Sequence, residues 1–208
     1  VDKINLLVDK INLLGYTKMR KVDRELDNPI ENVILDVGDT LLPYFKESGH
    51  TPNMLTTYSF ILGLAAVYFL YKNDLNNFAI CFALSFVFDC WDGYMARTFK
   101  MTSKFGDLYD HITDVTVGLS LAYVAYTKFK HKITLPLLII VGIMTLFMQT
   151  HVGCYQKYYL ETNKKEEETI DSIAQICVDK NDIKWTRFFG PATYTLFIIG
   201  LMYYLNSI

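Results

Sequence analysis

Long apolar runs interrupted by acids limit what this chain can fold into more than any other feature. Five such runs, near Leu55–Tyr71, Phe78–Arg97, Gly106–Tyr126, Ile133–Tyr159 and Phe188–Tyr204, approach the roughly 20 residues that a helix needs to cross a bilayer. In hydrocarbon the backbone must satisfy its own hydrogen bonds, so each run is expected to be helical. Yet the second and third runs carry Asp89, Asp92, Asp110 and Asp114. A carboxylate at membrane depth is costly unless it faces a partner or a water-filled cavity.

Helical spacing tells where these acids point. At about 100° per residue, Asp89, Asp92, Gly93, Ala96 and Arg97 share one arc of roughly 140°. Gly106, Asp110 and Asp114 form a second stripe at i, i+4 and i+8. The link Thr98–Phe105 is short, which puts both stripes at the same membrane face. Two antiparallel helices facing each other along these stripes would gather four carboxylates, one guanidinium and two glycines in a cleft open to water. Acids that close call for cations. Oxygen-only ligands suit Mg²⁺ or Mn²⁺, and two such ions about 3.5–4 Å apart serve displacement at phosphorus. Arg97 suits a phosphate, while Gly93, Ala96 and Gly106 leave room for a base or a diphosphate near the backbone. Snorkelling to the interface explains one acid at a helix end, but not a shared face on two helices.

The pattern Asp89-x-x-Asp92-Gly93-x-x-Ala96-Arg97, eight residues, Gly106-x-x-x-Asp110-x-x-x-Asp114 resembles the signature of the CDP-alcohol phosphotransferase family at every defined position. The resemblance implies a dinuclear Mg²⁺ or Mn²⁺ site held by Asp89, Asp92, Asp110 and Asp114, with Asp114 also the general base toward an acceptor hydroxyl. It implies that Gly93, Ala96, Arg97 and Gly106 cradle the CDP moiety of a CDP-linked alcohol donor. Thr51-Pro52-Asn53-Met54-Leu55-Thr56 looks like the family's Pro-Asn-x-x-Thr entry, which puts Asn53 and Thr56 near the nucleotide; simple helix capping explains them equally well. The implied partners are membrane lipid, a lipid or soluble alcohol acceptor, and a second copy in a homodimer, with the third and fourth spans as candidate faces.

The expected fold is therefore an all-α polytopic membrane bundle of five to six transmembrane helices, preceded by a juxtamembrane amphipathic helix. Ile30, Val33, Ile34, Val37, Leu41 and Leu42 have helical spacing with acids opposite, as a helix lying in the headgroup plane would. Within it, Asp36-Val-Gly-Asp39-Thr40 resembles the nucleophile loop of haloacid dehalogenase-type phosphatases, but that loop needs a strand and a soluble α/β domain to follow. A membrane domain over 29–208 follows an arm, 1–28, that opens with Val-Asp-Lys-Ile-Asn-Leu-Leu twice. Two heptads are too short for a stable coiled coil, and a flexible end or a short surface arm is expected. Glu166–Cys177 has the spacing of an amphipathic surface helix. The first residues are too polar for a cleavable signal.

Composition adds exclusions. A net charge of −2 leaves no basic stripe for nucleic acid. Cys81, Cys90, Cys154 and Cys177 lack CxxC pairing, and reduced packing roles are expected rather than zinc or a disulfide. Lys46, Arg97, Lys100, Lys104, Lys157, Lys164, Lys165, Lys180, Lys184 and Arg187 fall on one membrane side, against Lys72, Lys128, Lys130 and Lys132 on the other. The excess places the acids at the cytosolic face of an integral membrane protein.

The substrate branch is less constrained. Gly106-Asp107-Leu108-Tyr109-Asp110-His111-Ile112-Thr113-Asp114 looks like the Gly-Glu-x-x-Asp-His-x-x-Asp form of choline and ethanolamine phosphotransferases. That favours CDP-choline or CDP-ethanolamine plus diacylglycerol, with Asp107 and His111 helping to deprotonate the acceptor. The length instead fits phosphatidyltransferases that use CDP-diacylglycerol and a soluble alcohol: glycerol phosphate, inositol, inositol phosphate or serine. A phosphorylated acceptor would need further cations, for which Lys104, His151, Lys157, Lys184 and Arg187 are candidates; solvated interfacial charge explains them more simply. A small transporter lined by intramembrane acids is the alternative of another class, but it has no need of Arg97 and the paired glycines at these spacings.

Overall fold

The computed structural model describes residues 20–163, 175–177 and 179–208. The duplicated heptad lies outside the described residues, as does the surface helix expected from Glu166, apart from a turn at 175–176. Among the described residues every regular element is helical: α1 Pro29–Glu47, α2 Pro52–Tyr71, α3 Leu75–Thr98, α4 Lys104–Phe129, α5 Leu135–Asn163, the short α6 Ile183–Thr186 between 3₁₀ turns Lys180–Asp182 and Arg187–Phe189, and α7 Pro191–Ser207. Helices over Pro52–Tyr71, Leu75–Thr98, Leu135–Tyr159 and Ile183–Ser207 are long and apolar enough to cross a membrane. The fifth expected span, α4, is as long as these but carries Asp107, Asp110 and Asp114 in its first turns. The protein is thus an all-α polytopic membrane bundle.

Local chemistry sets the helix starts. Asn28 caps α1 by accepting the amide of Ile30 at 2.9 Å, with Pro29 at the first turn and Glu31 favouring the positive end of the dipole. Asp74 caps α3 through Asn77, and Ser103 caps α4 through the amide of Gly106 at 3.0 Å. The chain leaves α1 through Gly49 at φ 86°, where a Cβ would be strained.

Small residues let α2 sit between two neighbours. Its stripe Leu55, Thr56, Ser59, Gly63, Ala66 and Leu70 is buried. Ser59 and Ser85 join α2 to α3, with the Ser85 hydroxyl donating to the Ser59 carbonyl at 2.8 Å. A Cβ on Gly63 would stand 2.8 Å from Val117 Cγ2 of α4, so only glycine permits that approach. Because α2 fills this place, α3 and α4 scarcely touch each other. The acid stripes therefore face across a cleft rather than along a packed seam.

Helix α1 lies across α3. Leu35 and Leu42 join Leu55, Trp91, Tyr94, Met95 and Phe99 in one core cluster, and Trp91 Nε1 donates to the Ile34 carbonyl at 2.8 Å. Ile30, Val33, Val37, Leu41 and Tyr44 remain exposed in a stripe, as expected for a helix whose outer face meets lipid. The supposed nucleophile loop is part of this helix. Its Asp36 accepts from Arg24 and Arg20, and Asp39 accepts from Tyr94.

The cysteine expectation needs correction. Cys154 and Cys177 form a disulfide with Cα atoms 4.9 Å apart, leaving Cys81 and Cys90 free. The chain returns against the end of α5, and Val22, Cys154, Cys177 and Ile183 make a small core there. The 23-residue separation has no local signature.

Candidate active site

Three of the four signature aspartates converge. One carboxylate oxygen each from Asp89, Asp92 and Asp110 lies within 4.8 Å of the others. Thr56 Oγ1 donates to Asp92 Oδ2 at 2.6 Å and fixes that carboxylate from α2. Asp110 Oδ1 is buried with no hydrogen-bond partner, an expensive state for a carboxylate without a cation beside it. The donor set is all oxygen, partly buried and incompletely satisfied, which fits a hard divalent ion. Asp114, one turn further along α4 and exposed, does not complete the set of three.

The expected nucleotide residues fall in two local groups, one around Gly93 and one around Gly106. Arg97 folds back over its own helix so that a Cβ on Gly93 would lie 3.0 Å from Nη1. Space at Gly93 is therefore taken up by the guanidinium, and Arg97 Nε is buried without a partner. In the second group, Gly106 faces Asn53, whose Oδ1 would be 2.9 Å from an added Cβ. Thr57 and Tyr109 share a hydroxyl hydrogen bond at 3.1 Å that ties α2 to α4 at the residue before Asp110. Ala96 lies beside Arg97 on α3, and its carbonyl accepts the Met101 amide in the turn to α4.

The acceptor candidates fall in two places: Asp107 and His111 stand on α4 near enough for their charges to reach Asp110, while Lys157, His151 and Arg187 are held by other partners. Lys104, Asp107 and His111 are exposed at the start of α4, and His111 Nδ1 is 3.0 Å from the Asp107 carbonyl. Lys157 donates to the Cys177 carbonyl at 3.0 Å. His151 is buried, with Nδ1 3.3 Å from Thr186 Oγ1. Arg187 donates to the Glu25 carbonyl, and its own carbonyl accepts Asn28 Nδ2 at 2.6 Å.

The stretch before α1, part of the arm expected over 1–28, carries groups that the motif does not include. Asp27 and Asn28 are fully buried. Glu31 accepts the Ala192 amide at 3.1 Å. Burial pushes the Glu31 carboxyl up to about 7, with Asp27 adding to the rise and the Ala192 amide opposing it. Asn28-Pro29 as a helix cap was the one sequence signal for this region.

The sequence pattern described as CDP-alcohol phosphatidyltransferase matches residues 49–207. The chain belongs to that family. A CDP-diacylglycerol-inositol 3-phosphatidyltransferase of Drosophila melanogaster is 34% identical over 105 residues, which are 49% of this chain and 46% of that protein. A CDP-diacylglycerol-serine O-phosphatidyltransferase of Methanocaldococcus jannaschii is 37% identical over 82 residues, 39% of this chain and 37% of that protein. A CDP-diacylglycerol-glycerol-3-phosphate 3-phosphatidyltransferase of Wigglesworthia glossinidia brevipalpis is 26% identical over 167 residues, 76% of this chain and 86% of that protein. The chain thus spans less than half the length of the first two. These relatives are all named for CDP-diacylglycerol, which matches the phosphatidyltransferase branch better than the choline and ethanolamine branch favoured by the Asp107–His111 pattern. No solved structure is a significant match.

Proposed function

We propose that the protein transfers a phosphatidyl group from CDP-diacylglycerol to the hydroxyl of a soluble alcohol, with release of CMP. The observation that carries this reading is the incompletely satisfied aspartate trio, in a chain whose relatives are named for that donor. Asp89, Asp92 and Asp110, joined by Asp114, would hold two Mg²⁺ or Mn²⁺ ions, which when bound offset the charge of the diphosphate. Thr56 orients Asp92. Arg97, with Asn53, Gly93, Ala96 and Gly106 around it, binds the cytidine diphosphate end. The acceptor oxygen attacks the β-phosphorus; its new bond forms as the bond from that phosphorus to the CMP oxygen breaks. The hydroxyl proton passes to the Asp114 carboxylate.

The lysine and arginine excess supports a cytosolic site. Helices α4 and α5 do not pack on each other within one copy, and Leu108, Ile112, Val115 and Leu119 stay exposed. This supports a homodimer closed over these faces.

Purified protein should release CMP from CDP-diacylglycerol plus a soluble alcohol but not from CDP-ethanolamine plus diacylglycerol, and chelation should abolish release. Asp110→Asn and Asp114→Asn should each remove activity while leaving the fold intact. Normal turnover in both variants would overturn the assignment.

A further inference from the structure

The segment before α1 builds a second charged group, linked to the aspartate trio through Glu31. Asp27 has 0% exposure. Its Oδ1 accepts the Asn28 amide at 3.0 Å, and its Oδ2 has no hydrogen-bond partner. Arg20 Nη1 lies 3.9 Å from that oxygen, yet Arg20 donates its hydrogen bonds to Asn32 and Asp36. Arg97 and Arg187 each hold a buried Nε without a partner, and both are near enough for their charges to act on Asp27. Burial raises the Asp27 carboxyl, while the Asn28 amide and then these three arginines pull it back. Glu31, one turn on, is near enough for its charge to reach Asp89. The group is therefore linked to the trio, while Asp27 itself stands outside the family match at 49–207.

Guanidinium groups with free N–H donors are what a phosphate on an acceptor would seek. Here a resident carboxylate already stands within reach of those charges, so an incoming phosphate would face like charge in a desolvated place. A hydroxyl suits the same atoms: it donates to Asp27 Oδ2 and accepts from an arginine Nε. We infer that Asp27 occupies the place of a second anion beside Arg20 and Arg187, leaving Arg97 to the donor, and so restricts the acceptor to alcohols that carry no phosphate. The inference rests on the transferase reading of the neighbouring trio.

Two measurements on the full chain test it. In the first, thermal unfolding is followed in chelator as inorganic phosphate is titrated. Phosphate should leave the wild type unmoved and stabilise Asp27→Asn and Asp27→Ser, with apparent affinity at least about tenfold tighter than wild type once the like charge is gone. In the second, CDP-diacylglycerol is offered with inositol, serine or glycerol 3-phosphate. Wild type should use a non-phosphorylated alcohol, and Asp27→Asn should lower KM for glycerol 3-phosphate by about tenfold. Wild type that is stabilised by phosphate as strongly as the variants, or that prefers glycerol 3-phosphate, would overturn the inference even if the variants failed to fold. The phosphate titration needs no turnover, so absence of CMP release with every acceptor would sink the transferase reading alone.

Discussion

At the end of the bundle where α2 turns into α3, charge is spent on helix termini. Lys128 Nζ donates to the Leu70 and Tyr71 carbonyls at 2.8 and 2.9 Å, and Lys132 Nζ donates to the Leu205 carbonyl at 2.8 Å. Beneath them lies an apolar cluster that includes Leu70, Phe78, Leu121, Phe129 and Met202. At the opposite end, where α3 turns into α4, like charges face each other and buried atoms of Asp110 and Arg97 have no partner. One end uses charge to finish the fold; the other keeps charge that the fold would be more stable without. Unfavourable placement of that kind is the physical mark of a binding site.

The sharpest way to break this comparison is to neutralise the acids. Outer-shell partners of a metal cost about 10–100-fold when lost, so Asp89→Asn should lower CMP release by at least about a hundredfold. Its melting temperature in chelator should be unchanged or higher, because one repelling charge is gone. A variant that lost stability while keeping its turnover per folded molecule would put Asp89 in the same class as the lysines at the far end. At that far end the expectation reverses. Lys128→Met leaves two carbonyls of α2 without their donor and should cost about 1–2 kcal/mol, read as a lower melting temperature at unchanged turnover per folded molecule.

The difference between the two ends also explains what could be read from the sequence. Acid stripes at i, i+3 and i, i+4, a short link and long apolar runs are local patterns, and they located α2 to α4, the trio and Arg97. Pairings between distant polar residues leave no such trace. Asn28 meets Arg187 across 159 residues, and Cys154 meets Cys177 only because the chain doubles back. Position near the cytosolic span ends made Lys157 a candidate for an acceptor phosphate; its contact with the Cys177 carbonyl left no trace in the sequence. The separation of α3 from α4 was hidden for another reason: it depends on α2 sitting between them, a property of three helices together.

Glu31 sharpens the comparison through pH. Its carboxyl is raised to about 7 by burial first and by Asp27 second, so the folded state favours the protonated form. The sign follows from linkage: stability is complete below the unfolded value near 4.5 and is lost as pH rises through about 7. Stability should fall between pH 5 and pH 8 by roughly 2–3 kcal/mol, read as a lower melting temperature, and Glu31→Gln should flatten the curve. A curve equally steep in the variant would assign the effect to other groups.

Asp36 supplies the smallest effect and the cleanest contrast with Asp89. Both are aspartates within helical segments, but Asp36 is answered by Arg24 at 2.6 and 2.7 Å and by Arg20 at 2.7 Å. The Arg24 hydrogen bonds hold its carboxyl below the usual range, so whatever stability it contributes is present at neutral pH and lost only as pH falls through that lowered value. The pair lies at the surface, where water screens it. Asp36→Asn should therefore leave CMP release unchanged and shift melting less than Lys128→Met, any difference from wild type disappearing in acid. Loss of turnover in Asp36→Asn would mean that the exposed acid of α1, and not only the cleft, takes part in the chemistry.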